Sequence, residues 1–315
     1  METKHIPERG MNKVIVVTRK TRLTELVQKY NTLEQAKFYI EHLGADFSDY
    51  SLEDRNYKEA VETVKSVAEK YARVQEIDRT FFPNMILGAK DIVITVGQDG
   101  MVANVMKYLN GHPLIGINPD IKRWDGVLLP FEPRDLEKIL PTVISRKYNS
   151  KEVTIAKAAT KDGQEMLAVN DLFVGQRTHT SAQYDITWNK MRETQSSSGI
   201  IISTGLGATG WYKSIMTEAK RIAGAFGYDK GISYEPMSWS SDSLTFVVRE
   251  PYPSRSTQTD IVYGKIEKTD TFRIVSKMAV NGVVFSDGME NDAIEFNAGS
   301  EIEIGIADKK GNLVI

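Results

Sequence analysis

Four residues, Gly97-Gln98-Asp99-Gly100, directly follow the apolar run Ile92-Val-Ile-Thr-Val96. A run of this length predicts a buried parallel strand, and Met101 to Leu109 carries a helical pattern. A strand, a glycine turn and a helix start aim backbone N–H groups and the positive end of a helix dipole at one point. Asp99 stands at that point, beyond the carboxyl end of the strand, where open α/β sheets bind ligands. A nucleotide phosphate would fit beside it. The same four residues also read as a tight turn with Asp99 capping the helix, and a short glycine motif does not separate the two readings.

The segments around this turn alternate strand and helix. Lys13–Thr18 is a β-branched run suited to a first buried strand, and Leu23 to about Leu43 has helical spacing. Asn31-Thr32 with Glu34 downstream splits that helix in two, with Thr32 capping the second half, and Gly44 stops it. A second long helix is expected from Leu52 to Tyr71, and short strands at Val74–Ile77 and Pro113–Asn118. A helix from Pro133 to Arg146 closes this half. Such alternation predicts a doubly wound parallel sheet.

From Ser150 onward the texture changes to short β-branched and aromatic segments: Val153–Ala159, Glu165–Val174, Ala182–Trp188, Gly199–Thr204, Ser243–Val248, Asp260–Val262, Thr271–Ile274 and Ala279–Phe285. Lys213–Phe226 is the main helical exception, and its apolar residues read as core packing. The expected fold class is therefore α/β, with an N-terminal doubly wound parallel-sheet domain over residues 1–148. A mostly β domain follows over 149–315, and its last strand, near Ser300–Ala307, is free to return to the first domain.

The chain has 40 basic and 42 acidic residues among its 315, a net charge of −2. A near balance of this kind argues against a general electrostatic grip on nucleic acid or on a membrane surface. Cysteine is absent, which removes disulfides, thiol chemistry and a Cys-built zinc site. The four histidines (His5, His42, His112 and His179) lack metal-ligand spacing, so no protein metal site is expected from them. The opening residues carry no apolar core of a secretory signal, and no run approaches the roughly 20 apolar residues of a membrane span. A cytoplasmic protein is expected.

Several motifs, in order along residues 90–300, resemble those of the NAD kinases, within the diacylglycerol-kinase and phosphofructokinase-like group. Gly97-Gln98-Asp99-Gly100 is similar to that family's Gly-Gly-Asp-Gly, and Ile115-Gly116-Ile117-Asn118 to its Ile-Gly-Ile-Asn. Val169-Asn170-Asp171 resembles the Asn-Glu motif of the substrate site. The segment from Ser203 through Thr204, Gly205, Leu206, Gly207, Ala208, Thr209 and Gly210 to Trp211 resembles the family's Thr-rich glycine stretch, in its mitochondrial form. Val248-Arg249-Glu250-Pro251 and Glu295-Phe296-Asn297-Ala298-Gly299 add to the comparison.

The resemblance implies transfer of a phosphoryl group from ATP, with Mg²⁺, to the 2′-hydroxyl of the adenosine ribose of NAD. It also implies assembly as a homodimer or homotetramer. Asp99 is then the catalytic residue, accepting the attacking hydroxyl's proton or holding Mg²⁺. Gly97, Gln98, Gly100 and Asn118 belong to the nucleotide site. Asn170 and Asp171 suit adenine and ribose hydroxyls, because an amide both donates and accepts while a carboxylate accepts. Thr204, Gly207 and Thr209 form a wall of small residues, and Trp211 offers a face for stacking.

The chain departs from the family pattern at the site itself. Gln98 stands for a glycine, Met101 for a threonine and Asp171 for a glutamate, while Leu206 and Ala208 replace hydroxyl residues. A glycine needed for positive φ or close phosphate approach would not tolerate Gln98. Another nucleotide, a sugar or a lipid hydroxyl as acceptor, or a silent NAD- or ATP-binding regulator, are the alternatives these departures raise. Asn281-Gly282 and Asp287-Gly288 are hairpin signals first; the resemblance implies that one of the two answers to the family's Asp-Gly near the nicotinamide end, without deciding which.

Overall fold

The computed structural model describes residues 13–228 and 234–315; His5 and the opening segment read for a leader lie outside them. The chain divides into two compact units, one reaching Ser150 and taking in Asn312–Ile315, the other Lys151–Gly311. The break falls two residues after the expected 148/149 boundary, and the last four residues rejoin the first unit.

In the first unit the three inner strands are short apolar runs buried on both faces, as a parallel sheet requires, while the edge strand Arg73–Asp78 has no fully buried residue. β1 (Lys13–Thr18) leads through α1 (Arg22–Tyr30), α2 (Leu33–His42) and α3 (Phe47–Glu69) to β2 (Arg73–Asp78). β3 (Ile92–Val96), α4 (Asp99–Met106), β4 (Leu114–Ile117) and α5 (Leu136–Ile144) follow. The strands pair in parallel in the order β2-β1-β3-β4. Thr21 and Thr32 cap α1 and α2 through their hydroxyls, which splits the predicted helix at Asn31.

Strand alternation decides what each face meets. Val14, Val16, Ile92, Ile94, Val96, Ile115 and Ile117 pack against Tyr57, Ala60, Val61 and Val64 of α3 and Leu136 and Leu140 of α5. Ile15, Val17 and Val93 point the other way and are also fully buried, and α4 packs on β3 and β4.

The second unit opens with β5 (Ser150–Thr160), β6 (Glu165–Ala168) and β7 (Asp171–Gln176). β8 (Ala182–Trp188), β9 (Met191–Ser197), β10 (Ile200–Ser203) and α6 (Trp211–Ala225) come next. β11 (Ser243–Val248), β12 (Tyr263–Glu267), β13 (Phe272–Ser276), β14 (Gly282–Ser286), β15 (Met289–Glu295) and β16 (Glu301–Val314) complete it. Six strands form an antiparallel sheet in the order β12-β11-β10-β7-β14-β15. β16, β13, β8 and β9 pair antiparallel in a second layer. One core draws on both layers, including Leu172, Val174, Ile200, Ile202, Phe246, Tyr184, Phe272 and Ile274.

The alternate residues of the six-stranded sheet face outward. Phe173, Ile201, Val247 and Val283 pack there against Ala208 and Tyr212, with Ile215 and Met216 of α6. The sequence reading of α6 as core packing needs correction: Ala219, Ile222 and Phe226 are exposed, because only the first two turns of the helix meet the sheet. Two strands escape the sequence reading, β9 and β15, and the Glu165–Val174 segment is broken at Val169-Asn170.

Candidate functional site

The glycine turn is built as its spacing predicts, with one correction. Gln98 takes the helix N-cap position and gives no side-chain cap, while Asp99 is the first residue of α4. Gln98 has φ −121°, extended backbone open to any residue, so a side chain at this position costs no backbone strain. Gly97 is crowded, since a Cβ there would meet the Met101 sulfur at 2.7 Å, whereas a Cβ on Gly100 would meet nothing within 4 Å.

The Asp99 carboxylate accepts the backbone N–H groups of Leu128 at 2.7 Å and Val127 at 3.2 Å. It thus anchors the loop after β4. Asn118 holds the same loop: its amide donates to the Trp124 carbonyl at 3.0 Å, and its side-chain oxygen accepts from Asp120 N–H at 3.0 Å. Gly116 lets the loop lie directly on β4, because a Cβ there would stand 2.0 Å from the Leu128 oxygen. Asn56 to Asp120 at 3.0 Å and an Arg123–Asp49 ion pair complete the anchorage. The Gly-Gln-Asp-Gly and Ile-Gly-Ile-Asn motifs therefore cooperate in holding one loop.

The second unit carries a pocket of about 330 Å³ lined by Asn170, Asp171, Gly207, Thr209, Trp211 and Asp287, with Leu206, Gly210 and Gly288. Asn170 and Asp171 enter it where the chain leaves β6 and begins β7. The Asp171 carboxyl is pushed up to about 7, first by burial and then by the nearby Asp287 carboxylate. Asp287 sits in the two-residue hairpin turn joining β14 to β15, with φ 52° followed by Gly288 at 71°, as an Asp-Gly type I′ turn requires. Of the hairpin signals Asn281-Gly282 and Asp287-Gly288, the second is the one at the pocket.

Two predicted site residues have other duties. Thr204 is fully buried and absent from the pocket wall; its hydroxyl donates to the Val169 and Asn170 carbonyls and accepts Gly207 N–H at 3.1 Å. Trp211 lines the pocket, but its ring is already stacked on Phe173, with centroids 5.8 Å apart and planes 9° from parallel. The Arg249 guanidinium lies 5.3 Å from its ring centre. Gly207 is demanded by the protein's own backbone, since a Cβ would meet the Asn170 oxygen at 2.0 Å. His179 lies exposed in a loop and is not part of the pocket.

Gly97, Gln98, Asp99, Gly100 and Asn118 thus belong to the first unit, and Asn170, Asp171, Thr204, Gly207, Thr209 and Trp211 to the second. Asp287 is the residue that sequence reasoning left unassigned, although its hairpin signal was visible. Among the described residues no three His, Cys, Asp or Glu side chains gather as a metal cage, and no helix is long and apolar enough to cross a membrane.

The chain superposes on yeast NADH kinase complexed with NADH with a TM-score of 0.60, covering 97% of this chain and 84% of that one at 14% identity. An NAD kinase from Archaeoglobus fulgidus in complex with ATP gives 0.58, covering 96% and 93% at 14% identity. The fold is that of the NAD kinases. No sequence-family profile matches the chain, and no curated protein matches it.

Proposed function

We propose that this chain is a kinase that transfers the terminal phosphoryl group of ATP to the 2′-hydroxyl of the adenosine ribose of NAD, giving NADP and ADP. The observation that carries the reading is the pocket of the second unit. Asn170 supplies a donor and an acceptor there, and two carboxylates stand beside it. Paired carboxylates repel phosphate and accept from hydroxyl and amino groups. That chemistry suits the nucleoside end of a dinucleotide. It occurs in a fold shared, over nearly the whole chain, with a kinase holding NADH and another holding ATP.

The donor end falls to the turn in the first unit. Gly100 leaves open space at the start of α4, where backbone N–H groups and the helix dipole favour phosphate oxygens. In the transfer, the ribose oxygen forms a bond to phosphorus, the bond to the ADP oxygen breaks, and the hydroxyl proton passes to Asp99. Phosphoryl transfer relies mainly on positioning and charge neutralisation. Mg²⁺ would enter with the nucleotide and supply charge neutralisation at the phosphates. A dedicated protein cage is not required for this ion. We place the enzyme in the cytoplasm as a homodimer or homotetramer.

One observation favours a second reading. Both oxygens of Asp99 already accept backbone N–H groups, so this carboxylate is also suited to a purely structural role in a silent nucleotide-binding protein. Incubation with ATP, Mg²⁺ and NAD, assayed for NADP and paired with Asp99→Asn, separates the two. The kinase forms NADP and loses on the order of 10²-fold or more in the variant. The silent protein binds NAD without turnover, and binds it equally in the variant.

A further inference from the structure

Three successive backbone N–H groups converge on one side chain. The Asp287 carboxylate accepts from Val169 at 3.1 Å, Asn170 at 2.6 Å and Asp171 at 3.3 Å. The Asp287 N–H donates in return to the Asp171 carbonyl at 3.0 Å. Consecutive N–H groups turned to one point form an anion-binding concavity, and here the protein fills it with its own carboxylate. The carbonyl side of the same segment is held by the residue just after β10: Thr204 N–H donates to the Asn170 oxygen at 2.9 Å, and its hydroxyl to the Val169 oxygen at 2.5 Å. Backbone this fully claimed cannot turn its side chains freely.

We propose that Asp287 is the positioning residue of the acceptor pocket. By filling the N–H nest of residues 169–171 it fixes the directions in which Asn170 and Asp171 face the ligand. It also keeps phosphate out of that nest, so the pocket selects the uncharged, hydroxyl-bearing nucleoside end of its substrate. The inference rests on the reading of this pocket as the acceptor site. It extends that reading by assigning the selection to a residue remote in sequence.

The nest itself explains the break between β6 and β7. Strand pairing needs the N–H groups of Val169 and Asn170, and Asp287 takes them. A carboxylate accepts several hydrogen bonds at once, so the side chain meets this demand and still lines the pocket. Asp171 and Asp287 are the charged groups that face each other there.

Two variants test the assignment. Asp287→Asn keeps the shape and removes the charge, and Asp287→Ala empties the nest. Hydrogen exchange at the amides of Val169, Asn170 and Asp171 is expected to accelerate at least 10-fold in both variants, with Val174 and Gly175 in mid-β7 unchanged. NAD affinity by calorimetry at pH 8 is expected to fall at least 10-fold. In Asp287→Asn the acid limb of the binding profile moves to lower pH, because a like charge has been removed from beside Asp171. In Asp287→Ala, inorganic phosphate is expected to compete with NAD, which it does not do in the wild type. Unchanged amide exchange and unchanged NAD affinity in both variants would overturn the proposal. Wild-type protein that binds no NAD overturns the acceptor reading instead, and amide exchange alone then decides whether Asp287 organises the segment.

Discussion

The Asp99 carboxylate lies 2.7 Å from the backbone nitrogen of Leu128 and accepts its N–H. One side chain therefore anchors a loop and stands at the head of α4, where the proposed chemistry needs a carboxylate. The two duties separate by substitution. Asp99→Asn keeps one oxygen as acceptor but places an amide against the other N–H, so a loss of about 1–3 kcal/mol of stability is expected. Urea unfolding measures that cost. A loss of turnover beyond 10²-fold in protein that remains folded reports the catalytic duty.

Gly100 offers a cleaner probe of phosphate approach. Its Cβ would meet nothing within the protein, and the residue lies in the first turn of α4. Gly100→Ala is therefore expected to raise stability by up to about 1 kcal/mol, since alanine is the better helix former. If phosphate oxygens come against this backbone, the same variant weakens ATP binding at least 10-fold. Thermal unfolding and ATP titration of one sample give both readings.

Gly207 predicts the opposite pattern. A Cβ there would lie 2.0 Å from the Asn170 oxygen, so Gly207→Ala must push the Asn170 backbone or its own loop aside. Overpacking of this kind costs about 1–3 kcal/mol. Denaturant melts should show that loss, and NAD binding should weaken because the displaced backbone carries Asn170.

The raised carboxyl of Asp171 sets a pH dependence. Its folded-state value of about 7 lies above the ordinary carboxylate value, through burial first and Asp287 second. The folded protein therefore holds a proton at Asp171 that the unfolded chain has released between about pH 4 and 7. The stability this group contributes is fully present below the unfolded value and is lost as pH rises through 7. Asp171→Asn removes this slope in a stability–pH profile. Ligand binding runs the other way: ribose hydroxyls donate to the ionised form, so NAD affinity rises as pH passes 7 in the wild type and stays flat in Asp171→Asn.

The parallel-sheet half was legible because its inner strands are short apolar runs and its first two helices carry their own caps, Thr21 and Thr32. The β half was harder. β9 reads Met-Arg-Glu-Thr-Gln-Ser-Ser, with too few apolar residues to show alternation. Its buried Glu193 and Gln195 are satisfied instead by each other and by the backbone of Asp260 and Ile261. Those bonds also explain why the expected Asp260–Val262 strand starts later, at Tyr263: the N–H groups of Asp260 and Ile261 already serve Glu193. β15 was foreshadowed by Asp287-Gly288, whose turn needs a partner strand after it.

Asp99 and the Asn170-Asp171 pair stood out in the sequence through short motifs beside strand ends; the structure places Asp99 at the head of α4 and the pair in the pocket wall of the second unit. Thr204 looked like a pocket hydroxyl but spends its bonds on the Asn170 backbone. Asp287 stayed unassigned because the N–H groups that it binds lie more than a hundred residues earlier in the chain. Periodicity and local motifs carry no record of such a pairing.

The most direct test of the account is the structure of the product. NAD incubated with the protein, ATP and Mg²⁺ is followed by phosphorus NMR. The account predicts a new phosphate monoester on the 2′-oxygen of the adenosine ribose, formed by the wild type and suppressed in Asp99→Asn. Phosphate on a different hydroxyl, or ATP left unchanged beside NAD that is demonstrably bound, would contradict it.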